Sequence, residues 1–264
     1  MAEPLSPRGE RVPFGRGALA IVVVVVALWE LAVRTRLMTG LFVPAPSEIL
    51  RELVRGLWGG SLLAALRATA FRVGSGLLIG GVAGALLGLA MGASRRLGRI
   101  LNPMVAAVHP IPKLALLPLF MVYFGLGETP KVIVVSAAAF FPMLLSTMAG
   151  VRHIAGVHFD AARTYGASRR QLITRVVIPG SVPMMLSGLR LAANIAFLSG
   201  IAVEMVAAKN GLGAEVWLSW QVLRLDALFA TLVVIAAVGV TVNTMLRWLS
   251  RRVAPWLTAR ELTI

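Results

Sequence analysis

The residues whose types and spacing could do chemistry are few in this chain, and each is a polar group set among apolar neighbours. His109 and Lys113 stand four apart in His109-Pro110-Ile111-Pro112-Lys113 and share one face if that segment is helical. An ionisable side chain inside an apolar run costs a few kcal/mol unless it faces protein or water, so the pair either lines a polar pathway or lets Lys113 snorkel to an interface. Pro110 and Pro112 remove backbone donors and favour a broken helix, the form found where backbone lines a cavity inside a membrane. Further along, Arg190, Asn194, Phe197, Ile201 and Glu204 fall within about 40° of one helical line. That face can meet a polar cavity or a partner subunit. Arg190 is also close enough to the inner end of its run to snorkel, and Glu204 close enough to the outer end to be solvated. His153 and His158, five apart, lie on different helix faces and do not pair for a metal, and the absence of cysteine excludes thiolate ligands and disulfides. No nucleophile converges with an acid–base pair, so covalent catalysis has no candidate residues.

A second polar constellation carries no reactive group but is ordered by its own sequence. Asp160-Ala161-Ala162-Arg163-Thr164-Tyr165-Gly166 runs on to Ile178-Pro179 between long apolar stretches. Asp160 is expected to cap a short helix, Ala161 and Ala162 to leave a shallow smooth surface, and Gly166 to permit a turn. A second, basic helix bearing Arg169, Arg170 and Arg175 follows, and Pro179 opens the next element. A segment so stiffened can transmit a push, although a solvated amphipathic loop at a membrane surface would share much of this pattern.

The elements that must position these groups are membrane helices. With 264 residues, 58% hydrophobic content, a mean hydropathy of +0.84 and 14% charged residues, the chain lies outside the range of soluble domains. Six spans are expected, at about 18–33, 66–93, 101–124, 132–151, 182–205 and 227–249. After the first, Pro44-Ala45-Pro46-Ser47 leads into an interfacial helix capped by Ser47, with Glu48, Arg51, Glu52 and Arg55 in its polar register. The basic N-terminus and the run from Ala18 also resemble a signal peptide, but no small-x-small site follows, so an uncleaved first span is expected. If the N-terminus is inside, the inner segments hold 15 basic and 4 acidic residues and the outer segments 9 and 6. This places both termini and the 152–179 loop in the cytoplasm and accounts for the net charge of +15 without a nucleic-acid partner. Gly76, Gly80, Gly84, Gly88 and Gly92 form one ridge without side chains, and Gly188, Ala192, Ala196 and Gly200 repeat it, both read as close packing of helices.

The 160–179 segment resembles the EAA loop of permease subunits of bacterial ABC importers, which runs E-A-A, three residues, G, nine residues, I-x-L-P. Asp160 stands for the acid, Val176 for the isoleucine and Ile178 for the leucine, while Ala161, Ala162, Gly166 and Pro179 are in register. The likeness extends to the nitrate, sulfonate and taurine branch through Pro44-Ala45-Pro46-Ser47, Pro110 to Ala115, Phe124-Gly125-Leu126-Gly127-Glu128 and Ala202-Val203-Glu204-Met205. It implies an all-α polytopic fold of the type I importer in the bacterial plasma membrane. Its parts would be an N-terminal tail (1–17), a first span with a periplasmic interfacial helix (18–61), a permease core (62–250) and a C-terminal tail (251–264). It further implies that Asp160, Ala161, Ala162, Tyr165, Gly166, Arg169, Arg170 and Pro179 couple to a pair of separate ATPase subunits. No G-x-x-x-x-G-K-[S/T] occurs in this sequence, so ATP and Mg belong to those partners and this chain binds no cofactor of its own. A second copy of the permease, an extracytoplasmic solute-binding protein and membrane lipid complete the implied assembly. Lys113, His109 and Arg190 suit a small anion such as a sulfonate, taurine, nitrate or bicarbonate. A thiamine-precursor pyrimidine, riboflavin or an aromatic acid carried by the same machinery is the alternative, with an autonomous secondary transporter behind it.

Overall fold

Glycine spacing decides the centre of the bundle. In the computed structural model, which describes residues 16–35, 37 and 42–254, helix α3 (Ser61–Ala93) lies along α6 (Thr129–Arg152). A Cβ on Gly80 would stand 2.0 Å from the carbonyl oxygen of Ser136, one on Gly84 2.4 Å from that of Phe140, and one on Gly88 2.5 Å from that of Leu144. The expected ridge is therefore a backbone-to-backbone seam, where dispersion replaces the hydrophobic drive that lipid does not supply. On its other side α6 receives α9 (Ile178–Ala207), where a Cβ on Gly188 would meet Ser146 Cβ at 2.4 Å. Ala192 and Ala196 of α9 are buried with Val135, Ala139 and Met143 of α6, so the second small-residue face packs as expected.

Around this triplet lie α1 (Arg16–Arg34), α2 (Pro46–Trp58), α4 (Arg95–Val108), α5 (Leu117–Phe124), α7 (Gly156–Thr164), α8 (Arg169–Leu172), α10 (Leu212–Gln221) and α11 (Leu225–Val253). No strand occurs among the described residues. The helices long and apolar enough to cross a membrane are α3, α6, the continuous run Arg169–Ala207 and α11. A fifth is obtained if α4 and the stretch Lys113–Phe124 are one span, bent by 81°. Six were expected; α1 is helical over the first of them but does not enter this set, so the described residues give four or five. The bend falls at His109–Pro112, where the two prolines deny the helix its hydrogen bonds and a single 3₁₀ turn, Lys113–Leu116, restarts it. The break was expected, and the span expected over 101–124 is this bent pair.

The interfacial helix forms, but its cap is displaced by one proline. Pro46 takes the first helical position, so Ala45 becomes the cap residue and donates its N–H to Glu48 Oε2 at 3.1 Å. Ser47, expected as the cap, instead donates Oγ–H (2.8 Å) and N–H (3.0 Å) to Glu30, tying α2 to α1. The expected tails up to residue 15 and from 255 onward lie outside the described residues.

Candidate functional site

Helix α7 and its exit are built to hold one shape. Its cap residue is Ala155, so Asp160 lies in the middle of the helix rather than at its start, correcting the expected cap. The helix begins earlier because Gly156 and the extended Ala155 already open it; Asp160 is left exposed beside Arg163 at 3.8 Å, a pair worth little in water. At the other end Gly166 adopts φ +72°, the left-handed region that a Cβ disfavours. Its N–H is donated to the carbonyl of Arg163 (2.9 Å) and that of Ala167 to the carbonyl of Ala162 (3.0 Å), the paired bonds of a Schellman close. Two residues later Ser168 caps α8 in a reciprocal box, accepting from Gln171 N–H (3.4 Å) while donating its own N–H to Gln171 Oε1 (2.7 Å). Arg169 and Arg170 occupy α8; a π turn, Ile173–Val177, carries Arg175 into α9, whose first turn holds Pro179. Ala161 and Tyr165 face solvent, Tyr165 with 90% of its surface exposed, and Ala162 is half-buried.

The break between α4 and α5 gathers the second group. Lys113 Nζ donates to the carbonyls of Val108 (3.3 Å), which also accepts Ile111 N–H (3.2 Å), and of His109, and it lies 4.4 Å from the ring centroid of Phe141. The His109 ring stacks on the same phenylalanine with centroids 5.1 Å apart. His109, Lys113 and Phe141 line a cavity of about 440 Å³ against Ile195, Ser199 and Ala202 of α9. Arg190, Asn194 and Glu204 are not among its lining residues. The cavity meets the face of α9 close to its small-residue ridge, whereas the Arg190–Glu204 line points elsewhere: Ile201 packs with Leu62 and Leu212, and Glu204 with α3 and α10.

Glu204 is fully buried, which corrects the expectation that it is solvated or cavity-lining. Its Oε1 accepts from Arg72 Nη1 at 2.8 Å, and its Oε2 accepts from Thr69 Oγ1 (2.8 Å) and Gly213 N–H (2.9 Å). Thr69 Oγ1 in turn accepts from Leu212 N–H at 2.9 Å. Arg72, itself buried, spends its other donors on the Asn210 carbonyl (2.7 Å), the Asn210 side chain and both oxygens of Glu128, so all five N–H groups are used. The Arg72 guanidinium, joined by Lys131 at 3.0 Å, holds the Glu128 carboxyl down from the ordinary 4.5 to about 2. Gly211 at φ +118° lets the loop close over the pair; a Cβ there would be 2.5 Å from the Glu204 carboxyl carbon. Arg72 carried no sequence assignment, although an arginine seven residues into an apolar run needs a partner, and Glu128 and Glu204 sit at the matching level.

Comparisons with known proteins give the chain's family. Residues 76–256 match the family described as binding-protein-dependent transport system inner membrane component. The taurine transport system permease protein TauC of Escherichia coli (strain K12) is 34% identical over 255 residues, 95% of this chain and 92% of its own length. The putative aliphatic sulfonates transport permease protein SsuC of Bacillus subtilis (strain 168) is 28% identical over 256 residues, covering 97% and 92%. The nitrate import permease protein NrtB of Synechococcus elongatus is 28% identical over 187 residues, covering 70% and 67%. With a glycine-seamed helical bundle, a stiff loop in the EAA register and a family match over most of its length, this chain belongs to the inner membrane components of binding-protein-dependent transport systems, the permease subunits of ABC importers.

Proposed function

We propose that this permease forms, with a second copy of itself, the pathway through which an ATP-driven importer moves a small anion of the sulfonate, taurine, nitrate or bicarbonate kind. The observation that carries the coupling half of this reading is the unbroken chain of locked elements from α7 through Gly166 and the Ser168 box into α9. ATP and Mg are held by a separate pair of ATPase subunits, which seat on Ala161, Ala162, Tyr165 and the rim formed by Asp160, Arg169 and Arg170. The arginine asymmetry supports a cytoplasmic position for that loop and for both termini, leaving Glu128 and Asn210 on the outer side where a solute-binding protein docks.

The cargo class is supported by two things: the names of the relatives, and a cavity of about 440 Å³ with Lys113 and His109 in its wall, suited to a solute of few atoms. Arg190 and Asn194 lie on α9 outside that wall; a place for them on the pathway rests on the second copy. ATP-driven uptake in vesicles tests the coupling: Gly166→Pro or Ala162→Arg should leave insertion intact and abolish transport, and unchanged uptake in either would overturn it. Calorimetry of the cognate binding protein tests the cargo. Binding of taurine or an aliphatic sulfonate is expected, and binding of neutral heterocycles alone would overturn the anion.

A further inference from the structure

Between α7 and the adjoining ends of α3, α4 and α6 lies a cleft of about 1300 Å³, whose lining shares only Arg169 with the proposed ATPase seat. Arg95, Arg99, Arg152, Arg163 and Arg169 line it, and no acidic residue does. Of these five, only Arg163 has an acidic neighbour, the exposed Asp160 at 3.8 Å; the other four make no side-chain hydrogen bond or ion pair among the described residues. Their convergence is nevertheless built. Arg152 ends α6 and lies over Gly98 of α4, where a Cβ would come within 2.8 Å of its Nη2, so a glycine makes room for the guanidinium. Arg95 and Arg99, one turn apart at the start of α4, line the same space, and the positive end of that helix's dipole lies there too. Guanidinium groups gathered this way repel one another unless an anion joins them.

The floor of the cleft is apolar: Met91, Leu97, Phe159 and Val177. Its depth in the membrane follows from α3, on which Arg72 and the last residue, Ala93, are 21 residues and so about 32 Å apart, close to the thickness of a bilayer's hydrocarbon core. The cleft thus opens at headgroup level with its floor at acyl level. Neither a soluble anion nor an acidic protein segment has a use for the apolar floor. We propose that this cleft is a binding site for the phosphate-bearing headgroup of an anionic phospholipid of the cytoplasmic leaflet, with its acyl chain along the floor. The side of the membrane rests on the topology proposed above; the chemistry of the cleft does not.

The site is tested on the purified permease–ATPase complex in detergent without nucleotide, so that the result is independent of coupling. Phosphatidylglycerol retained by the complex is counted by native mass spectrometry, and its affinity is taken from the rise in thermal midpoint on titration. Saturable binding of phosphatidylglycerol over phosphatidylcholine is expected. The pair Arg99→Gln/Arg152→Gln should weaken it roughly 25-fold, at about five-fold per basic residue lost from a lipid headgroup. The control pair Arg96→Gln/Arg251→Gln, exposed arginines outside the cleft, should leave it unchanged. If the glutamine pair does not fold, Arg99→Lys/Arg152→Lys keeps the charge, loses the forked donors and should fall between. Equal weakening by the control pair would reduce the effect to diffuse surface charge and overturn the proposal. So would glycerol 3-phosphate competing as well as the lipid, or loss of the ATPase subunit from the glutamine pair with lipid retention unchanged, which would give the cleft to that protein.

Discussion

Replacing Arg72 by methionine keeps an unbranched apolar stem and removes all five donors from a site where every one is used. Glu204 would remain fully buried with only Thr69 and Gly213 to stabilise its charge, and the Asn210 carbonyl would lose its donor. Breaking one side of a buried ion pair costs about 3–5 kcal/mol, and Glu128, with 46% of its side chain exposed, adds little because water can replace its partner. Glu204→Gln is milder but still ill-fitting. Thr69 and Gly213 both donate to one oxygen, so the amide NH₂ must point at the Arg72 donor, losing a charge-assisted bond worth about 1.5–3 kcal/mol. Because the two residues act as one unit, Arg72→Met combined with Glu204→Leu should cost less than the sum of the singles by on the order of 1–3 kcal/mol. Denaturant unfolding of the purified permease in micelles, read by its six tryptophans, gives these differences, with uptake measured on the folded fraction. If Glu204→Gln changes stability by less than about 0.5 kcal/mol while abolishing uptake, Glu204 belongs to the solute pathway and the structural reasoning fails.

Other outcomes follow from single contacts. Gly84→Leu places a side chain where a Cβ alone is 2.4 Å from the Phe140 carbonyl, so the α3–α6 seam should open and little folded protein should survive detergent extraction; wild-type yield and elution would refute the seam. Glu128, lowered to about 2 in the fold from 4.5, stabilises the protein fully above pH 4.5, and that contribution is withdrawn as pH falls from 4.5 toward 2. Its partial exposure limits the loss to about 1–2 kcal/mol, and Glu128→Gln should flatten the thermal midpoint across that window; an identical slope in the variant would count against the pairing. Lys113→Gln should raise KM for a sulfonate cargo roughly ten-fold with ATP hydrolysis still coupled, as expected for one lost charge-assisted contact, and an unchanged KM would remove Lys113 from the pathway.

What could be read from the sequence is what depends on spacing along one chain. Glycines four apart must share a helix face, two prolines two apart must break a helix, and a glycine after a short helix invites a left-handed close; Gly80, Pro110 and Gly166 do these things. Helix starts were less legible, because Asp160 and Ser47 are good caps that lost to neighbours: the extended Ala155 and Pro46 fix where the helix begins before the side chain is consulted. Partnership across the chain was not legible at all. Arg72 meets Glu128 and Glu204 from 56 and 132 residues away, and no periodicity encodes that. The line through Arg190, Asn194 and Glu204 could be drawn on the helix but left open whether it met a cavity or a partner subunit, because a helical wheel orders residues around an axis without saying what lies outside it, and within the chain Glu204 turned out to be buried.

The buried pair and the coupling segment bear on each other through α9. The run Arg169–Ala207 is continuous, so the coupling segment at one end and Glu204 near the other are joined by a helix roughly 50 Å long at 1.5 Å per residue. A helix of this kind, seamed by Gly188 and Ala192 to α6 and tied by Glu204 to α3, cannot slide past either neighbour without breaking close backbone contacts or stranding a buried charge. If α7 receives the push proposed above, α3, α6 and α9 carry it as one body. The place among the described residues least able to resist is the 81° break at His109–Pro112, where two prolines withhold backbone donors and Lys113 donates to the Val108 and His109 carbonyls. The cavity wall that holds Lys113 and His109 is made of that weak point on one side and the rigid body on the other. Under the proposed coupling, motion of the bundle would change the shape of this cavity.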